Sequence, residues 1–483
     1  MLSAAAVWLG GLNQDEGWYL YAANMVAEGK MLYRDFFFTQ GPGMPSFYRA
    51  YTWVWGSWGL LGARVFTLML GLCGVCLAIG LARHFAPDGR KGAAALVVFL
   101  LLGCNLYHLY YVAIPKTYAL ASVWVAAGFF LLVVGKKPIG SLFAGLTLAY
   151  AAGTRISLGA LLCIAGLWLL FARRWKDLLW FCVGGFGGLA VTYGPYLCDP
   201  GARAGLLAAQ QYHVARGGFD PVWAVGSLSR LVRWYLPVFI VLGLGVGGCL
   251  VTGAVVPCAA PSARRQAPSV LLLGFLAVFA VQMLAPFPYE DYQVPIMGLL
   301  AVYAAVAFVS SPTFNLQPST FNLLLVLGLC FANSFGSPLL EKWMTNGQDR
   351  FWSLKKEKCE LAQLRDVAKR IEAQDPGGKT LLTQDLYLAI ETGRAVPQGL
   401  EMGPFAMLTD EEWKRLLTET APAECKVAAL SGYAFAVEPP VCAERSVEKQ
   451  MEYWTLLKQG SKLVEREEAF GQNATTLLIL KRR

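Results

Sequence analysis

Histidine is almost missing from this chain: three in 483 residues, at positions 84, 108 and 213, far apart in the sequence. No spacing among them makes a zinc site. Charge is also scarce, at 15% of residues against about 25% in an ordinary soluble domain. No Walker loop, dinucleotide fingerprint or nucleophile elbow stands in its required context. The net charge of +9 comes without a basic stripe interleaved with aromatics and without a reader motif, so nucleic acid is excluded as a partner.

Apolar residues fill the space, at 56% of the chain with a mean hydropathy of +0.46. Runs near 18 residues recur over the first two thirds, and each reads as a membrane helix. Strands of an outer-membrane barrel would be about 10 residues long and alternating, which these are not. The later runs lie near 61–82, 93–112, 117–134, 139–153, 157–171, 178–197, 231–256, 269–285, 294–310 and 320–338. With the first run this makes about eleven spans. The first, MLSAAAVWLGGL, is short of the length that crosses a hydrocarbon core of about 30 Å. It is read as the outer half of a truncated span. No basic n-region or cleavage site marks it as a signal peptide.

Lys and Arg crowd short alternate loops at 83–91, 135–138, 172–177 and around Arg264 and Arg265. The positive-inside rule makes those loops cytoplasmic. Residues 11–60, 198–230, 286–293 and the chain after about 339 then lie outside. The expected location is the bacterial inner (plasma) membrane, multi-pass, with the active site extracytoplasmic. Seven of the twelve cysteines, Cys73 and Cys76 among them, sit in apolar runs and read as small hydrophobes. Cys425 and Cys442 flank a strand in the polar tail, where an oxidising compartment would permit a disulfide.

Composition changes near 340. Helices are expected at 359–374, 410–419 and 447–460, and strands at 379–384, 426–431 and 474–481. That alternation suggests a small soluble α/β domain. The fold class is therefore mainly α: residues 1–338 form a polytopic membrane domain with a first outer loop at 11–62, and 339–483 form an extracytoplasmic α/β domain. Within the first outer loop, 15–28 suits a helix, and 46–58, rich in Trp and Tyr, suits a helix lying at the interface.

Asp15 and Glu16 open the first outer loop, and two adjacent carboxylates at a bilayer edge are costly to desolvate. They could simply belong to a helix N-terminus, with Asn13 or Asp15 as cap. They are followed by a Gly-Lys-x-x-Tyr-Arg-Asp stretch at 29–35, a Gly-Pro-x-x-Pro turn at 41–45, the aromatic helix, and Gly62-Ala63-Arg64 opening a span. Together these resemble the GT-C glycosyltransferases of the protein O-mannosyltransferase and aminoarabinose-transferase superfamily, the family 39 type. The resemblance covers 13–85 well and the other spans loosely. It implies a GT-C fold and inverting transfer of a sugar from a polyprenyl-phosphate donor, on the outer face, to a glycolipid, glycan or protein acceptor. It places the catalytic acid/base at Asp15, with Glu16 supporting.

A leaving phosphate needs cations. Arg155, at a bend in AAGTRISLG where relatives carry Lys or Arg, is the first candidate for binding it; its bland reading is a snorkelling arginine. Lys116 is a second, although relatives often hold an acidic residue near there. Arg34 is a third, with a local pair to Asp35 as its bland reading. Arg64 is as well explained as a helix-end anchor. PFPYEDYQVP, at 286–295, carries Tyr289, Glu290, Asp291 and Tyr292, groups suited to sugar hydroxyls; an exposed acidic turn would also account for them. His213 reads as a polar loop residue. The donor type that the resemblance implies argues against a nucleotide requirement; no cofactor is assigned, and a divalent cation stays open without a motif that calls for one. A transporter or flippase is the rival class. It would place charge at mid-bilayer along a pathway, whereas these charges gather at one face.

Overall fold

The computed structural model describes residues 2–54, 56–135, 138–215, 217–251, 267–311, 319–336, 358–406, 408–431, 452, 455–457, 459–472 and 474–483. It begins with α1 (Leu2–Leu9), α2 (Gln14–Ala27) and α3 (Gly43–Val54). The helical body follows as α4 (Gly59–Phe85), α5 (Lys91–Gly103), α6 (Leu106–Tyr111), α7 (Thr117–Val134), α8 (Ile139–Thr154), α9 (Gly159–Phe171) and α10 (Trp175–Cys198). Next come α11 (Pro200–Ala215), α12 (Pro221–Trp234), α13 (Leu236–Val251), α14 (Ala267–Met283), α15 (Val294–Ser310) and α16 (Ser319–Phe335).

Among the described residues, four helices are long and apolar enough to cross a membrane: Gly56–Phe85, Thr117–Val134, Trp175–Cys198 and Glu290–Ser310. Five shorter apolar helices accompany them. This is a multi-pass membrane protein. Two expected elements look different in the structure. The run at 93–112 breaks into α5 and α6 at Cys104, because Asn105 takes an extended backbone and caps α6 through His108 N–H. The segment 198–230, expected as an outer loop, is helical, as α11 and α12. Asp220 caps α12, and the chain turns by 79° into α13, whose second residue, Pro237, has no N–H to give.

Helices α8 and α10 pack most closely. A Cβ on Gly184 would lie 1.9 Å from Leu142 O, and one on Gly145 would lie 2.1 Å from Phe181 O. Small residues let the backbones meet, as membrane helices require when lipid offers no competing hydrophobic drive. The opposite side of α10 presents Leu179, Val183 and Phe186, exposed and spaced as a lipid-facing stripe.

The C-terminal elements are α17 (Glu360–Gln374), α18 (Leu386–Thr392), α19 (Asp410–Arg415), α20 (Ala421–Glu424), β1 (Val427–Ser431), β2 (Ser461–Phe470) and β3 (Thr475–Arg482). The sheet is antiparallel in the order β1-β3-β2. Residues 379–384, expected as a strand, contribute only single parallel bridges, Leu382 to Ala428 and Thr380 to Ala395. The expected helix at 447–460 lies largely outside the described residues, as does Cys442. One apolar core joins these elements to the first outer loop: Trp18, Tyr19 and Phe38 share it with Leu361, Leu386, Tyr387 and Leu480.

Candidate active site

Helix α2 starts where the sequence says it should. Asn13 Oδ1 accepts from Asp15 N–H at 2.9 Å, and Glu16 Oε1 accepts from Asn13 N–H at 3.0 Å, a reciprocal cap. The carboxylates at 15 and 16 then part company. Glu16 and Arg64 are each 0% exposed, with contacts of 2.6 and 2.8 Å. Arg64 also donates to Val7, Gly10 and Gly11 carbonyls at 2.8–3.0 Å. All five guanidinium donors are therefore used. This pair ties the end of α1 to α2 and α4, and turns Glu16 away from Asp15.

Asp15 is 30% exposed and meets Lys116 Nζ at 2.9 Å. The Trp18 indole donates to its other oxygen at 3.1 Å. Burial alone would raise the Asp15 carboxyl, but Lys116, Trp18 and Arg155 together hold it below the ordinary carboxylate value. Lys116 precedes α7, where a cation opposes the helix dipole. Carboxylates compensate it, for Asp291 lies 3.6 Å away on its far side. Asp291 in turn accepts from the Tyr118 hydroxyl at 2.7 Å.

Arg155 stands where α8 ends, with φ −144° and ψ 118°. Its guanidinium lies 4.6 Å from the Tyr292 ring centre and 5.0 Å from that of Tyr118. It donates to Thr117 Oγ1 at 3.0 Å. Its Nε is buried without a hydrogen-bond partner, and among the described residues no carboxylate lies within ion-pair distance of it. A sandwiched guanidinium with an unmet donor is built to receive an anion.

The outer-loop residues at 289–292 divide. Asp291 and Tyr292 join this cluster. Glu290 pairs with Arg230 of α12 at 3.0 Å, and the Tyr289 ring lies 5.7 Å from Trp223 and 5.5 Å from Tyr292. Arg34 stands apart. It is exposed and paired with Asp35 at 2.9 Å and Asp199 at 3.4 Å. The nearby cleft of about 430 Å³, lined by Asp35, Phe37, Gln398, Glu401 and Met402, includes none of the Asp15 cluster. His213 falls on α11, and its side chain lies outside the described residues. Among the described residues no group of three or more His, Cys, Asp or Glu side chains is placed to hold a metal. The sequence reading missed Tyr118, Thr117, Trp18 and Arg230. Tyr118 and Thr117 follow Lys116 directly, and Trp18 is three residues past Asp15, one helical turn away.

The chemistry available is compact: a carboxylate at a helix N-terminus, an ammonium shared between two carboxylates, and an arginine ready for an anion, all at one end of the helical body. No family model matches the sequence, and no curated protein matches it. Solved structures do. ArnT from Cupriavidus metallidurans in the apo state is similar with a TM-score of 0.64 at 13% identity, over 99% of this chain and 95% of that one. The same protein bound to undecaprenyl phosphate gives 0.58 at 13% identity over the same shares. The Archaeoglobus fulgidus oligosaccharyltransferase complexed with zinc and sulfate gives 0.51 at 14% identity, over 92% of this chain and 67% of that one. Both neighbours are GT-C glycosyltransferases. At such identities the likeness is one of fold, and this chain has the GT-C fold.

Proposed function

We propose that the protein is a membrane glycosyltransferase that moves a sugar from a polyprenyl-phosphate donor to an acceptor hydroxyl or amine on the outer face of the membrane. The observation that carries this is Arg155, half-buried between two tyrosine rings and, among the described residues, without a carboxylate partner, beside the Asp15–Lys116 pair. A lipid phosphate at headgroup depth supplies the anion that this arginine lacks. The likeness in fold to a protein seen with undecaprenyl phosphate supports the same donor class.

In the proposed reaction Asp15 accepts the acceptor's proton as the acceptor oxygen or nitrogen bonds to the anomeric carbon. The anomeric carbon–oxygen bond breaks on the opposite face, and the phosphate leaves with the electron pair, inverting the centre. Arg155 and Lys116 hold the charge that develops on it. Lys116 has a second consequence. While it sits on Asp15 the carboxylate is a poor base. An arriving phosphate shares the ammonium and lifts that restraint, so basicity rises when donor is bound. Glu16 serves as a positioning residue through Arg64. The positive-inside bias puts this end of the bundle outside the cytoplasm, as expected for the inner membrane. We keep 1–338 as the catalytic membrane domain and 339–483 as an extracytoplasmic domain.

The test is donor turnover by purified protein in nanodiscs. A panel of synthetic polyprenyl-phosphate monosaccharides is supplied with a simple alcohol acceptor, and release of polyprenyl phosphate is followed by mass spectrometry. Asp15→Asn should abolish release and leave the protein folded. Full activity in Asp15→Asn would remove Asp15 as the base. Solute uptake into vesicles without any sugar transfer would replace the enzyme with a transporter.

A further inference from the structure

A second polar layer adjoins the phosphate site, formed between α12 and the 3-10 turn Glu290–Gln293. Trp223, Ser227 and Arg230 recur along α12 at four and three residues, which places them on one stripe. That stripe faces the turn: the Trp223 ring meets Phe287 and Tyr289 at 5.4 and 5.7 Å, and Arg230 meets Glu290 at 3.0 Å. In a 3-10 turn positions three apart eclipse, so Glu290 and Gln293 share a face. The layer joins the site already described, since the Tyr289 ring contacts Tyr292 at 5.5 Å and Tyr292 stacks on Arg155 at 4.6 Å.

The layer is rich in buried polar atoms without partners among the described residues. Gln293 is 0% exposed, and neither its carbonyl oxygen nor its amide nitrogen is hydrogen bonded. Ser227 Oγ, in a residue also 0% exposed, Glu290 Oε2 and Trp223 Nε1 are in the same condition. Each such group destabilises the fold, so a ligand that satisfies them is the physical reason to retain them. The set mixes donors with acceptors: an indole N–H, an amide NH₂, a hydroxyl, an amide oxygen and a carboxylate oxygen. Arg230 and Glu290, 3.0 Å apart, leave the layer without net charge to attract a phosphate. A hydroxyl gives one hydrogen and accepts another, so adjacent hydroxyls satisfy both kinds, with aromatic rings beside them for the apolar face of a sugar. Charge narrows the choice. Glu290 already carries Arg230 at 3.0 Å, so an ammonium reaching that carboxylate would sit beside a guanidinium. In the adjoining cluster Lys116 and Arg155 balance Asp15 and Asp291, so no net negative charge draws an ammonium-bearing sugar here.

We infer that the α12 stripe and Gln293 form the subsite for the donor sugar, and that this sugar is a neutral, hydroxyl-bearing one rather than an amino sugar. The inference rests on the polyprenyl-phosphate reading. The test uses the full chain in nanodiscs and five kinds of lipid: bare undecaprenyl phosphate, and the same lipid carrying glucose, mannose, galactose or glucosamine with a free amine. At least one neutral hexosyl lipid should bind about tenfold more tightly than the bare lipid, and the glucosamine lipid should not. Gln293→Leu and Ser227→Ala should each remove most of that preference while changing bare-lipid affinity less than twofold. Gln293→Leu should also unfold at a higher temperature than the parent, because an unpartnered amide is gone. The inference is overturned if no neutral hexosyl lipid outbinds the bare lipid, if the glucosamine lipid binds best, or if Gln293→Leu weakens bare and hexosyl lipids alike. Failure of the parent protein to bind even the bare lipid would instead overturn the donor reading itself.

Discussion

Glu16 is where a structural role and a chemical one give opposite results. Glu16→Gln keeps the side chain's shape and its acceptor for the Asn13 N–H, and removes only charge. Arg64 would keep its three carbonyl partners and lose the counter-charge at 2.6 and 2.8 Å, in a site where both side chains are 0% exposed. Removing one partner of a buried pair costs about 3–5 kcal/mol. With three carbonyls still holding the guanidinium, the lower end applies, about 3 kcal/mol, or roughly a hundredfold in the folding equilibrium. Titration with SDS in mixed micelles, followed by the fluorescence of the 15 tryptophans, reads this loss. Adding Arg64→Met removes the stranded charge but should not restore the parent's stability, because the carbonyls of Val7, Gly10 and Gly11 then lose their donor. If Glu16→Gln unfolds with the parent protein while sugar transfer vanishes, Glu16 acts on substrate and the structural assignment is wrong.

Lys116→Met should move the acid limb of donor turnover to higher pH. Burial raises the Asp15 carboxyl and Lys116 is the chief influence lowering it; without the ammonium, Asp15 protonates earlier as pH falls. The stability that the pair contributes is present above the ordinary carboxylate value and lost as pH drops through the lowered one, so the variant should also lose that acid-range sensitivity. A rate–pH profile with an unmoved acid limb would show that Asp15 is not the titrating base. Arg155→Gln should weaken undecaprenyl phosphate binding by about 10- to 150-fold, the equivalent of about 1.5–3 kcal/mol for a charge-assisted hydrogen bond. Arg34→Gln, whose partners are Asp35 and Asp199 at the surface, should leave that binding within twofold; native mass spectrometry of the nanodisc complexes separates the two.

The sequence made the site's cations and carboxylates readable because desolvation leaves few reasons to put charge beside a bilayer. Asp15, Lys116, Arg155 and Asp291 stand out against apolar neighbours; Lys116 joins the two carboxylates, and Arg155 lies beside them over the Tyr118 and Tyr292 rings. The partner of Glu16 was not readable, since Arg64 lies 48 residues away and helix-end arginines are common. Helices α11 and α12 were hidden for a different reason. They are amphipathic, so no long apolar run announces them, and the stripe of Trp223, Ser227 and Arg230 emerges only at helical spacing. Strand β2 escaped because Glu465 and Glu467 look like solvated surface; in the fold Arg370 of α17 pairs with both.

The C-terminal elements also bear on the proposed catalysis. The C-terminal elements hold the helix that carries Asp15. Glu360 accepts from Leu12 N–H at 2.7 Å, Gln472 accepts from Gln14 N–H at 2.8 Å, and the Gln14 amide donates to Asp385 at 2.9 Å. The Tyr21 hydroxyl accepts from Val396 N–H at 2.9 Å, about two turns further on. Between them Gly17 lets α18 approach so closely that a Cβ there would lie 2.5 Å from Tyr387 N. Helix α2 is thus fixed from the membrane side by Arg64 and from the opposite side by the C-terminal elements, and Asp15 projects from the short stretch between. In the proposed reaction Asp15 must match in reach a lipid phosphate held by Arg155, and that role would need such rigidity, because a misplacement of about 1 Å can cost a hundredfold in rate. On the proposed mechanism, then, the C-terminal elements serve to aim Asp15.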